Sequence, residues 1–117
     1  MKQILILIFV LSLIGCEFMK ERYVPPASES EIDFAWSDVY KCLKSNMAID
    51  DGISDASTIA KSLVGLCRNE YNQAAYAHVK GQNQRVQQIY FAKVGNSYVD
   101  HATSYVLIHR KKARDAK

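Results

Sequence analysis

The stretch IDFAWSDVYKCLKSNM, residues 32–47, decides the fold class of this chain. Its apolar residues recur every three or four positions, which is the period of an α-helix, so they share one face. These residues are Ile32, Trp36, Val39, Tyr40, Leu43 and Met47. Ser28 or Ser30 can cap the start of the helix, and Glu31 in its first turn is favoured by the helix dipole. The stretch therefore predicts an amphipathic helix that packs against a second element.

A second helical pattern follows a short polar turn. The turn is IDDGI, residues 49–53, and Ser54 after it can cap the next helix. One face of that helix carries Ala56, Ile59, Ala60, Leu63, Val64, Cys67, Tyr71, Ala74 and Ala75. Because the connection is short, we expect the first two helices to lie antiparallel.

The C-terminal third of the chain allows two interpretations. In the first, residues 82–94 and 97–113 form a third and a fourth helix. Their inward residues are then Val86, Ile89 and Tyr90 in the third helix and Tyr98, Ala102, Tyr105, Val106 and His109 in the fourth. In the second, QIYFAKV and SYVLI are strands, with Gly95-Asn96 as a turn. Asp100-His101-Ala102 interrupts this pattern, so we predict an all-α bundle of three or four helices, with α+β and a C-terminal hairpin as the alternative.

The beginning of the chain, MKQILILIFVLSLIGC, has the architecture of an export signal. A positive charge at Lys2 precedes an apolar run over residues 4–14, and the small residue Gly15 follows the run. As a helix, this run would be about 16 Å long, about half of the hydrocarbon thickness of a bilayer. A stable membrane span is therefore disfavoured.

The last four residues of this segment, Leu13-Ile14-Gly15-Cys16, resemble the lipobox of bacterial lipoproteins at all four positions. The resemblance implies cleavage between Gly15 and Cys16, a diacylglycerol thioether on the Cys16 sulfur, and often an acyl chain such as palmitate on the new amine. Two or three acyl chains anchor a protein stably in a membrane. The resemblance thus implies a lipid-anchored protein of the bacterial cell envelope with its domain in the periplasm. In lipoproteins of enterobacteria, an Asp after the lipidated cysteine favours retention in the inner membrane, so with Glu17 at this position the resemblance implies the outer membrane.

These features divide the chain into three parts. Residues 1–15 are the predicted signal peptide, and residues 16–27 are the lipidated N-terminus and a spacer that contains Pro25-Pro26. Residues 28–117 form the helical domain with a basic C-terminal tail.

Export would place the two remaining cysteines where disulfides persist. We expect Cys42 and Cys67 to pair, because they lie on facing helices of the predicted hairpin, although the turn must be asymmetric to align them. The alternative is two buried free thiols. The stretch from Cys42 to Cys67 also resembles segments of small exported bacterial proteins of unknown function, a resemblance that brings no catalytic residue with it.

Composition and motifs argue against several function classes. A net charge of +3 with 23% charged residues is ordinary for a soluble domain and well short of a nucleic-acid-binding composition. The aspartates near Gly52 do not have EF-hand spacing, and His101 and His109 would be about 12 Å apart on a helix, too far to share a metal. No nucleophile motif or phosphate-binding glycine loop is recognisable. We therefore expect no catalytic residue, metal or cofactor, and infer no small-molecule substrate.

The tail HRKKARDAK is basic. Its cations are Arg110, Lys111, Lys112, Arg114 and Lys117. Such a helix end commonly compensates the helix dipole, and it could also dock onto an anionic envelope polymer or lipid head groups, with about 1 kcal/mol per cation. The sequence thus predicts an envelope lipoprotein that binds an envelope protein. A structural tether to the cell wall and an unrecognised enzyme are the alternatives.

Overall fold

A computed structural model describes residues 23–117 of the chain. It contains helix α1 (Glu29–Asn46), a short 3-10 helix (Met47–Ile49), and helices α2 (Ala56–Leu66), α3 (Arg68–Val79) and α4 (Gln84–Asp115). Within these residues there is no strand, so the all-α prediction is confirmed and the α+β alternative is wrong. None of the described helices is long and apolar enough to cross a membrane. The predicted cleavage and lipidation at Gly15 and Cys16 lie outside the described residues.

Helix α1 begins as its sequence predicts and buries part of its predicted apolar face, although Tyr40 on that face is 46% exposed. The Ser28 hydroxyl accepts a hydrogen bond from the backbone N–H of Glu31, and the Glu31 carboxylate accepts one from the Ser28 N–H. This reciprocal capping box satisfies two backbone donors that a helix start otherwise leaves unpaired. The apolar face then buries Val39, Leu43 and Met47 in the core.

The predicted second helix is two helices that meet at Cys67. All nine residues of its predicted apolar face are buried, which confirms that face. Cys67, however, has φ −105° and ψ 21°, so the helix is interrupted there. The start also differs from the prediction, because the carboxylate of Asp55, and not Ser54, caps α2 by accepting the Ser57 N–H.

The break at Cys67 determines how the helices pair. Helix α1 packs mainly against α3, whereas α2 packs mainly along α4. The antiparallel hairpin is therefore present, with α3 as the second arm: Glu31 at one end of α1 binds Lys80 just after α3, and Cys42 is joined to Cys67 by a disulfide at the other end. The asymmetry that the sequence required is supplied by α2, which lies between the turn and α3 in sequence and packs along α4.

Helix α4 replaces the predicted third and fourth helices with one continuous element. It has 32 residues and is about 48 Å long. Gly95-Asn96 lies inside it, because a helical glycine costs only about 1 kcal/mol relative to alanine. The buried residues of α4 are Tyr98, Ala102 and Val106. The predicted inward placement of Val86, Ile89 and His109 is wrong, since all three are exposed and no side chain of α4 before Tyr98 is buried.

The turn between α3 and α4 contacts the segment that leads into the domain. Gly81 has φ +86°, and a Cβ at this position would lie 2.8 Å from the Pro26 nitrogen and 3.0 Å from the Val24 oxygen. We expect Gly81→Ala to lower the free energy of unfolding by about 2 kcal/mol, since the left-handed backbone alone disfavours alanine by about 1–2 kcal/mol. Urea unfolding would measure the effect.

Gly95→Ala is the matched control. Gly95 is inside α4, and its Cβ would meet nothing within 4 Å. Alanine there is expected to raise stability by about 0.5–1 kcal/mol. Similar shifts for the two variants would contradict the close packing of residues 24–26 on Gly81.

Candidate functional site

An apolar groove opens between α1, α3 and the first half of α4. Its volume is about 460 Å³, within the range of known ligand pockets. The groove is lined by Trp36 of α1, by Ala75 and His78 of α3, and by Val86, Ile89, Tyr90, Lys93, Val94, Ser97 and Tyr98 of α4. We call this surface the α4 groove.

The α4 wall of the groove is one helix face, and within residues 23–117 other elements cover it only in part, at Tyr90 and Val94. Its residues recur at three- and four-residue intervals from Val86 to Ser97, over about 16 Å. Val86 is 41% exposed and Ile89 49% exposed. These are the residues that the sequence pattern predicts to be core. The pattern found the correct face of the helix, and that face lines an open groove.

Trp36 is held in place on the opposite wall. Its indole Nε1–H donates a hydrogen bond to His78 Nε2 at 3.0 Å. Since an indole N–H can only donate, His78 accepts with Nε2 and carries its proton on Nδ1. The Trp36 ring also packs against His101, with ring centroids 5.0 Å apart, and meets the Tyr71 ring edge-on. These contacts fix the orientation of the indole that the groove presents.

His101 joins three helices next to the groove. Its Nδ1 is 2.8 Å from the hydroxyl of Tyr71 on α3, and its Nε2 is 3.1 Å from the hydroxyl of Tyr40 on α1. Tyr71 is fully buried and stacks on Tyr98, which lines the groove. Burial lowers the pKa of His101 and raises the pKa values of Tyr71 and Tyr98. All three side chains are therefore neutral at pH 7 and act as packing and hydrogen-bonding groups.

The lowered pKa of His101 predicts a loss of stability in mild acid. The unfolded chain, with an ordinary histidine pKa near about 6.5, takes up a proton more readily than the folded chain. The contribution of His101 is therefore complete above that pH and is lost as the pH falls through the folded-state pKa. We expect the unfolding free energy to fall more between pH 7.5 and 5.0 in the parent than in His101→Gln.

The difference between the parent and His101→Gln reports on His101 alone, because His78 and His109 are present in both proteins. The carboxylates with lowered pKa values, among them Asp50 and Asp55, lose their contributions only below the usual carboxylate range near about 4. Parallel pH profiles in urea unfolding would rule out a contribution from the burial of His101.

Lys93 gives the groove a positive charge. No aspartate or glutamate is among the residues that line it. Within residues 23–117 no carboxylate forms an ion pair with Lys93, whereas Lys80, just after α3, is paired with Glu31. The groove therefore combines apolar walls with one cation that no described carboxylate neutralises.

The predicted anion-binding residues of the tail lie at the other end of α4, and one of them is already engaged. Arg110 binds Asp50 through Nε and Nη2, the shortest contact being 2.6 Å, and Nη2 also donates to the Ser54 carbonyl oxygen. This guanidinium lowers the pKa of the Asp50 carboxyl. Arg110 thus closes the loop before α2 onto α4. The other predicted cations, Lys111, Lys112, Arg114 and Lys117, are exposed.

Aspartates of the same loop offset part of this positive charge. Asp51 accepts hydrogen bonds from the Ser54 hydroxyl and from the N–H groups of Ser54 and Ile53, which lower its pKa to about 2. Asp55 is similarly held by Ser57. These carboxylates are ionised at neutral pH and lie near Arg110, so the net charge at this end is smaller than the tail sequence alone indicates. In the described residues, no group of three or more histidine, cysteine or acidic side chains could hold a metal ion.

Comparisons with protein-family models, with curated proteins and with solved structures found no match to this chain. Functional conclusions about it therefore rest on the groove, on the tail and on the sequence that precedes the domain.

Proposed function

We propose that this chain is a lipid-anchored protein of the bacterial cell envelope that acts as a protein-interaction module, with the α4 groove as its binding site. The observation that carries the proposal is the apolar face of the groove, where Val86 and Ile89 are exposed in the part of the chain that the structure describes. Apolar surface that a partner removes from water contributes about 25 cal/mol per Å² to association, before the losses of freedom on binding. The lipobox resemblance supports attachment through Cys16, with the outer membrane as the favoured location.

The position of the groove fits a partner close to the anchoring membrane. Residues 24–26 pack on Gly81, beside the first turn of α4, so the chain joins the domain at the end where the groove lies. Cys16 precedes Tyr23 by seven residues, a span of at most about 25 Å. A lipid on Cys16 would therefore keep the groove near the membrane surface, within reach of proteins in or on that membrane.

Site-specific photocrosslinking in intact envelopes tests the interaction module. A photoreactive residue replaces Ile89, which lines the groove, and in a matched control it replaces Thr58, which is exposed on α2. We expect one dominant protein adduct from position 89, none from position 58, and loss of the adduct when Val86→Asp places a charge in the groove. Equal adducts from both positions, or an adduct that survives Val86→Asp, would refute the groove as the binding site.

Mass analysis of the envelope-bound protein tests the anchor. The mature chain is expected to begin at Cys16 and to carry two or three acyl chains. Cys16→Ser is expected to abolish the modification. An unmodified Cys16 in the mature chain would refute the lipid anchor while leaving the groove as a binding site.

A second candidate function is a structural tether to the cell wall. It is favoured by the four exposed tail cations, which lie about 40 Å along α4 from the turn where residues 24–26 pack. Salt-sensitive sedimentation with purified cell wall tests this candidate. The double variant Lys111→Gln with Lys112→Gln should bind the cell wall more weakly. The control double variant Lys44→Gln with Lys61→Gln should bind as the parent does. Retention that is equal in the two double variants would exclude the tail.

A further inference from the structure

The charge of the α4 groove indicates what kind of partner it fits. Lys93 lines the groove without a carboxylate among the other lining residues. When a partner covers the groove, water is excluded from around this ammonium group, and a buried charge without a counter-ion is strongly disfavoured. A partner that supplies a carboxylate at this point avoids that penalty and gains an ion pair in a medium of lower dielectric constant.

The shape of the groove indicates a helical segment of protein. Its α4 wall runs for about 16 Å, the length of about three helical turns. Apolar exposure continues beyond the cavity to Phe91, which is 39% exposed and packs edge-on against Tyr90. An amphipathic helix can place its residues i, i+3, i+4 and i+7 into such a groove and so cover the exposed apolar face of α4. A compact small molecule would fill the cavity and leave the outer part of the stripe in water.

We propose that the α4 groove binds an amphipathic helix of an envelope protein partner, and that an aspartate or glutamate on this helix pairs with Lys93. The proposal rests on the proposed function and specifies the chemistry of the partner. Ile89 and Val86 contact the apolar stripe of the incoming helix, and Lys93 sets its register.

Trp36 provides a direct check that variants keep the groove intact. It is the single tryptophan of the chain, and it lines the groove. Lys93 is exposed, so its replacement removes no buried contact. The emission maximum of Trp36 and the unfolding free energy should therefore be unchanged in Lys93 variants, and a change in crosslinking then reports on binding.

The test is quantitative crosslinking from position 89 in the full-length protein within intact envelopes. The adduct is compared in the parent, in Lys93→Glu, in Lys93→Arg and in the control Lys61→Glu on α2. We expect about a tenfold loss of adduct in Lys93→Glu and little change in the other two. Sequencing of the crosslinked peptide is expected to give a segment with the apolar pattern of an amphipathic helix and with an aspartate or glutamate next to its apolar face.

Each other outcome has a definite meaning. A protein adduct that survives Lys93→Glu, or a crosslinked segment without an acidic residue, overturns the pairing with Lys93 and leaves the interaction module in place. A lipid or another small amphiphile as the crosslinked species overturns the helical partner. Absence of any adduct from position 89 overturns both this inference and the proposed binding site.

Discussion

Loss of the Cys42–Cys67 disulfide is expected to lower the free energy of unfolding by about 3.5 kcal/mol. The bond closes a loop across a sequence separation of 25, and the chain-entropy model gives this value for a loop of that length. The double variant Cys42→Ala with Cys67→Ala, compared with the parent in urea without reductant, measures the effect. Adding dithiothreitol to the parent should reproduce it and should leave the double variant unchanged.

The bond has a second consequence because of where it lies. Cys67 is the residue at which α2 ends and α3 begins, so the disulfide fixes the junction between the α2–α4 pair and the α1–α3 pair. Without it, α1 is held to this junction by side-chain packing, because the Asn46 amide bonds the Cys42 carbonyl oxygen within α1 itself, at 2.9 Å. We expect a lower denaturant slope in the double variant as the two pairs begin to unfold separately. This role would be contradicted if the double variant were as stable as the parent and if Cys42 and Cys67 were free thiols in the envelope-bound parent protein.

The apolar faces of the first three helices could be predicted from the sequence, and the break between two of them could not. All nine predicted residues from Ala56 to Ala75 are buried. A helix break at one residue does not disturb a pattern read over the whole stretch, so the continuous stripe concealed the interruption at Cys67. Residues on either side of it pack against different helices. Which helix packs against a given apolar face depends on the tertiary structure and not on the local sequence.

The candidate site could be predicted from the sequence even less completely than the helix packing. The periodicity of Val86, Ile89 and Tyr90 correctly gives a shared helix face, but a pattern of apolar residues does not reveal whether the fold covers that face. Gly95-Asn96 indicated a turn, yet burial of Tyr98 and Ala102 just after it outweighs the small helix penalty of one glycine. Arg110 and Asp50 are 60 residues apart in sequence, and His101 bonds Tyr40 and Tyr71 across 61 and 30 residues. No local signal could have identified these pairs.

Replacing Tyr71 with alanine is expected to lower the free energy of unfolding by about 3–5 kcal/mol, the range for large aromatic side chains removed from cores. Tyr71 is fully buried, stacks on Tyr98 with ring centroids 4.8 Å apart, and supports the edge of Trp36. Tyr76→Ala on the same helix is the control: Tyr76 is 43% exposed, and we expect a loss of about 1 kcal/mol or less. Urea unfolding at pH 7.5 measures both.

Tyr71→Phe separates the hydroxyl group from the ring. It keeps the aromatic packing and removes the group that bonds His101 Nδ1, so a half-buried nitrogen loses its partner at an expected loss of about 1–3 kcal/mol. Because Trp36 packs against both Tyr71 and His101, the alanine variant should also shift the Trp36 emission to longer wavelength, whereas the phenylalanine variant should leave it nearly unchanged. A loss for Tyr71→Ala no larger than that for Tyr76→Ala would contradict the placement of Tyr71 at the centre of the core. A large emission shift in Tyr71→Phe would instead mean that the hydroxyl bond, more than the ring, holds the wall of the groove.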